Sequence, residues 1–77
     1  MKTKIIPGAQ YQHFKNNKFY RVIGVGKHTE TEEDLVFYEP LYKSDFAQLV
    51  ARPLENFQEE VLHEGVRQAR FRLVDES

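Results

Sequence analysis

Apolar and aromatic residues in this chain come in short strand-forming runs, Tyr11 to Phe14, Phe19 to Val25, Leu35 to Tyr42 and Leu49 to Val50, set apart by polar segments. Residues of this kind suit a pleated, half-buried surface, so the runs predict strands, and helix is expected to be scarce. The chain has 77 residues, which predicts one domain over 1–77 with an ordered core from about 7 to 74. A domain this small hides only about 60% of its unfolded surface, so the sheet must curl onto itself to enclose a core. It has no cysteine, which excludes disulfides and thiolate metal sites as supports.

Pro7-Gly8 marks a first turn, and Lys15-Asn16-Asn17-Lys18 separates the first two runs. Asn tolerates the positive φ of a tight hairpin, so a two-residue turn at Asn16-Asn17 is expected. That turn pairs Phe14 with Phe19, His13 with Tyr20 and Tyr11 with Val22, and puts Tyr11, His13, Tyr20 and Val22 on one face. The polar stretch from Thr29 to Asp34 predicts a second hairpin. Between the hairpins, Gly24 and Gly26 interrupt the alternation, as at a bulge or sharp bend. Pro53 should end the fourth strand, and Leu54 and Phe57, spaced i, i+3, suit a single 3₁₀ turn. A helix from Leu54 to His63 is the alternative, since Val61 and Leu62 extend the stripe. Arg70 to Val74 supplies a closing strand. The order is that of an all-β fold, a small SH3-like, strongly bent antiparallel barrel of about five strands. Tyr11, Val22, Leu41, Leu54, Phe57 and Phe71 are the expected core.

The formal net charge of −1 conceals an asymmetry, with six basic and no acidic side chains in residues 1–28, then ten acidic against two basic in 29–64. In a small sheet, oppositely charged segments most simply lie side by side. The near-neutral balance and the acids of residues 30–34 disfavour nucleic acid as a partner. The apolar runs fall far short of the roughly 20 residues that span a bilayer, so no membrane role and a cytoplasmic location are expected.

Taken together, Pro7-Gly8, Tyr11-x-His13-Phe14-Lys15, Tyr20-x-Val22, His28-Thr29-Glu30-Thr31-x-Glu33, Tyr38-x-x-Leu41-Tyr42 and Arg52-Pro53-Leu54-x-x-Phe57 resemble the small bacterial family catalogued as domain of unknown function 1653 (DUF1653). The resemblance implies a compact β-barrel-like fold and no assigned activity. The chain departs from the family's pattern at Gly26, where Ala is usual, at Thr29 for Ser, at Ala69 for Pro, and near Val50, where an aromatic is often found.

The polar members of that shared pattern are His13, His28, Glu30, Thr31, Tyr38, Tyr42 and Arg52, and they are the candidate ligand-binding residues. One reading is structural: the Thr29 to Asp34 loop caps itself, Arg52 pairs with a loop carboxylate, and the tyrosines present hydroxyls at the barrel edge. The other brings loop acids, His28 and Arg52 around a groove lined by Tyr38 and Tyr42. The resulting expectation is a non-catalytic module that binds a protein, peptide or small anionic ligand. Two alternatives stay open: a nucleic-acid-binding barrel using the basic first hairpin, and a small hydrolase-like enzyme with His28 and Glu30 as an acid/base pair. No cofactor or metal is expected, because the three histidines lack ligand spacing. Gly24-Val25-Gly26 is not a dinucleotide fingerprint, since Thr29 holds the third glycine position. A second copy of the chain could complete so thin a core, making a homodimer a further expectation.

Overall fold

A computed structural model describes residues 5–45 and 48–75. The elements are β1 (Gln10–His13), β2 (Phe19–Lys27), β3 (Asp34–Pro40), β4 (Val50–Pro53), α1 (Leu54–Phe57), β5 (Glu60–His63), β6 (Val66–Ala69) and β7 (Phe71–Asp75). Five strands form one antiparallel sheet in the order β4-β3-β2-β1-β7, and β5 and β6 form a separate hairpin. The all-β class and the bent sheet agree with the sequence. The β5–β6 hairpin is additional to the five strands expected. Its turn is Glu64-Gly65, with φ of 52° and 79°, the paired positive values that a two-residue hairpin turn requires.

The sheet bends where the glycines announced it. Val22 pairs with Tyr38 but Gly24 pairs with Phe37, so Ile23 is the extra residue of a bulge. At Gly26 a Cβ would stand 3.0 Å from the Phe37 ring, so a side chain here requires that ring to shift by a few tenths of an ångström.

The first hairpin keeps the predicted face but shifts its register by two. Tyr11 pairs with Tyr20 and Gln12 with Phe19, and His13 N–H donates to the Lys18 carbonyl at 3.0 Å. The loop is therefore Phe14 to Asn17, four residues and not two. Because the shift is even, Tyr11, His13, Tyr20 and Val22 still share the inner face. Tyr11, Tyr20 and Val22 are buried there, joined by Ile5, Ala9, Val36, Tyr38, Phe57 and Phe71.

Pro53 ends β4 as expected, but the turn that follows is α and not 3₁₀. Gln58 N–H donates to the Leu54 carbonyl at 3.1 Å, four residues back, and the helix stops at Phe57 rather than running to His63. This single turn drops Phe57 into the centre of the concave face at 1% exposure. Phe57 stacks on Phe71 and meets Tyr11 and Tyr38 edge-on at 5.3 and 5.5 Å. Leu54 is only half-buried beside it, and Leu41 is exposed, against expectation. β3 ends at Pro40, so Leu41 lies past the pleat that would have turned it inward.

Candidate functional site

The seven candidate residues divide into two groups with different surroundings. His28, Glu30 and Thr31 lie in the β2–β3 loop. There His28 Nδ1 accepts the backbone N–H groups of Glu30 at 3.1 Å and Thr31 at 3.3 Å, and Thr31 Oγ1 accepts the N–H of Glu33. It is the backbone of Glu30, not its carboxylate, that meets the imidazole.

His13 opens a loop of the same construction. Its Nδ1 accepts Lys15 N–H at 3.1 Å, its carbonyl accepts Asn17 N–H, and Asn16 Oδ1 accepts Lys18 N–H. In the second loop the His28 carbonyl accepts Glu32 N–H in the same way, and His28 N–H donates to Glu33. The residue four after each histidine is left-handed: Asn17 at φ 59° and Glu32 at φ 60°. Two loops, each headed by a histidine, thus close by one hydrogen-bond plan. An Nδ1 that accepts cannot carry a proton, so both rings present N–H at Nε2.

Tyr38, Tyr42 and Arg52 belong to the second group. Arg52 pairs with Val36 across the β3–β4 ladder, which turns its side chain to the concave face with Val36 and Tyr38. There its Nε donates to the Tyr38 hydroxyl at 3.1 Å and its Nη1 to Asn56 Oδ1 at 2.7 Å. The guanidinium carbon lies 5.3 Å from the centre of the Phe71 ring. The expected pairing of Arg52 with the Thr29 to Glu33 loop is thereby corrected. Side-chain direction decides it: the inner face aims Arg52 over the core, while Lys27 takes the loop-side carboxylate of Asp34 at 2.9 Å.

The Tyr20 and Tyr42 hydroxyls lie 2.7 Å apart. This hydrogen bond, together with desolvation, pushes the Tyr42 phenol up to about 12. Lys18 Nζ sits 4.4 Å over the Tyr42 ring. Tyr20, Tyr38, Tyr42, Arg52 and Asn56 line one groove of about 490 Å³. Sequence reasoning missed Tyr20 and Asn56. Alternation puts Tyr20 on the inner face but gives it no role, and Asn56 depends on the α-turn, four residues after Arg52, for its position.

His13 heads its own loop and touches the aromatic cluster. Its ring meets Phe71 edge-on at 4.8 Å and Tyr20 at 6.4 Å. Burial first, then the charges of Arg52, Arg70 and Lys15, hold its pKa below the usual 6.5. Among the described residues, no three or more His, Asp or Glu side chains gather closely enough to hold a metal ion. No helix among them is long and apolar enough to cross a membrane.

Residues 9–73 match the family model described as protein of unknown function (DUF1653). The chain belongs to the DUF1653 family. A crystal structure of a DUF1653 protein from Bordetella bronchiseptica is similar over 100% of this chain and 96% of that one, with a TM-score of 0.86 and 28% identity. No curated protein matches at a significant level. The polar candidates of this chain are thus of two kinds: His28 and Thr31, which close a loop, and a tyrosine–arginine set that lines a groove.

Proposed function

We propose that this DUF1653 chain is a binding module whose recognition surface is the tyrosine–arginine groove, and that its ligand is anionic. The observation that carries this reading is the convergence of Tyr20, Tyr38, Tyr42 and Asn56 with Arg52 in one groove. Guanidinium offers five N–H donors in a fixed plane, and the bonds to Tyr38 and Asn56 hold that plane in place before a ligand arrives. Orienting a long side chain beforehand removes part of the entropy that binding would otherwise cost. Lys18 places a second cation over the ring of the groove residue Tyr42, and no carboxylate is among the described residues that line the groove. Tyrosine rings supply apolar area with a polar tip, as small-ligand and peptide sites commonly do.

The nucleic-acid alternative draws less support from the disposition of the basic residues. Within the basic first segment, Lys27 is paired with Asp34 and Lys18 lies over the Tyr42 ring. The acid/base alternative loses its geometry, because His28 spends its Nδ1 on loop backbone.

A thermal-shift screen of organic dicarboxylates, nucleotides, short acidic peptides and single-stranded oligonucleotides tests the reading, followed by amide-shift mapping of each hit. A hit whose shifts centre on Tyr38, Tyr42, Arg52 and Asn56 is the expected result. Hits that map only to the 28–33 loop, or tight and steeply salt-dependent oligonucleotide binding, would overturn it.

A further inference from the structure

Four consecutive residues of one strand, Val50, Ala51, Arg52 and Pro53, all line the groove. Strand side chains alternate between faces, and here Val50 and Arg52 are half-buried while Ala51 and Pro53 are exposed. A groove touching both sets reaches the side of the strand as well as the concave face that Tyr20 and Tyr38 line. β4 is also the end strand of the order β4-β3-β2-β1-β7, so among the described residues β3 is its one ladder neighbour. Such an edge turns backbone N–H and C=O groups outward at every second residue.

Resting on the groove reading above, we infer that the ligand is an extended acidic peptide segment that adds to β4 as a further strand. Backbone pairing supplies register without demanding a sequence, and alternate side chains supply selectivity. The four residues of β4 offer roughly 13 Å of ladder, enough for a segment of about four residues. Pro53 has no N–H and closes the ladder at that end. Side chains on the groove-facing side of such a segment recur about every 7 Å. A Glu or Asp at one of these points meets Arg52, and an apolar neighbour on the same side meets the rings of Tyr38 and Tyr42. The charge of the occupant follows from Arg52 in a groove whose described lining holds no acid, with Lys18 over the ring of the groove residue Tyr42.

The test is an amide-shift titration of the intact chain with a capped peptide of sequence Val-Thr-Glu-Thr-Val, whose Glu and two Val side chains share one side of an extended strand. Three relatives accompany it: one with Lys for the central Glu, and two N-methylated at alternate amides, one set each. Glutarate serves as the small dianion. The parent peptide should move the amides of Val50 to Arg52 and the groove resonances. Replacing Glu by Lys should weaken binding about tenfold or more, the size of one lost charge-assisted contact. One N-methylated series should lose binding by about tenfold or more while the other binds like the parent, because only alternate amides face β4. If both methylated peptides bind like the parent, and glutarate binds as well as they do, strand addition is wrong and the anion-binding groove stands. If neither glutarate nor any peptide moves a groove resonance, the groove reading falls and the inference with it. Should the free chain dimerise with concentration, with β4 amides shifting and the peptide unable to compete, a second copy is the occupant and the peptide is not.

Discussion

His13 and His28 stand at equivalent positions in two loops that close in the same way, each ring accepting the backbone N–H two residues ahead. In each loop a side-chain oxygen three residues after the histidine, from Asn16 or Thr31, accepts the N–H two further on. Both loops thus close through local side-chain acceptors, the first being tied also to the closing strand by Phe14 N–H donating to the Arg70 carbonyl at 3.0 Å. Part of what looks in the sequence like a chemical constellation is therefore hairpin architecture.

The equivalence exposes a difference. Asn17 and Glu32 both occupy the left-handed region, which asparagine tolerates and a glutamate does not favour. Glu32→Asn should stabilise the fold by about 0.5–1 kcal/mol. Urea unfolding of the two proteins measures it, and an unchanged or lower midpoint would contradict the strain argument.

His28→Ala leaves two loop N–H groups without their acceptor. The expected cost is about 1 kcal/mol, limited because the loop is open to water. Binding in the groove should be unaffected, since His28 has no contact with it; a variant that keeps its melting temperature but loses ligand would restore His28 to the site.

Stability should fall in acid partly through His13. Its folded pKa lies below the unfolded value near 6.5, so the unfolded chain binds the proton first. Its contribution is complete above about pH 6.5 and is lost as pH drops through the folded value. A proton-resonance titration should find the His13 midpoint below 6.5, and Arg52→Gln should raise it by removing a neighbouring positive charge.

At the alkaline end Tyr42 acts in the opposite sense. Its folded pKa near 12 exceeds the unfolded value near 10, so the folded chain holds the proton longer. The contribution is full below about pH 10 and is lost as pH rises through 12. Of the four tyrosines, Tyr42 should be delayed in tyrosinate absorbance, and Tyr20→Phe should bring it back toward 10.

Phe57 and Phe71 lie with ring centroids 4.2 Å apart and planes 5° from parallel, tying the closing strand to the α-turn. Phe57→Ala should cost about 3–5 kcal/mol, a large share of the stability of so small a domain. A variant that melts like the parent would mean that the turn does not support the core.

Local chemistry made much of this architecture legible. Period-two alternation marked Tyr11, Tyr20 and Val22 as sharing one face, Gly24 and Gly26 marked the bend, and Pro53 marked the end of β4, because each effect acts within a few residues of its cause. The Glu64-Gly65 turn carried a readable signal too, a glycine after a polar residue between strand formers, which the helical spacing of Leu54, Phe57, Val61 and Leu62 obscured. Register was not legible, because the loops after His13 and His28 close through side-chain acceptors that hold four residues where two would suffice to turn the chain. Nor was the partner of Arg52. Charge in the sequence pointed to Glu30 and Glu33, but the tertiary fold set Arg52 opposite Val36 and put Tyr38 and Asn56 within reach. Sequence by itself determined the strands, the bend and which residue types would face inward, through steric and hydrophobic preferences that are local. Only the tertiary structure decided which polar groups close loops and which line the groove, because a side chain's direction depends on strand pairing and on an α-turn that brings distant residues together.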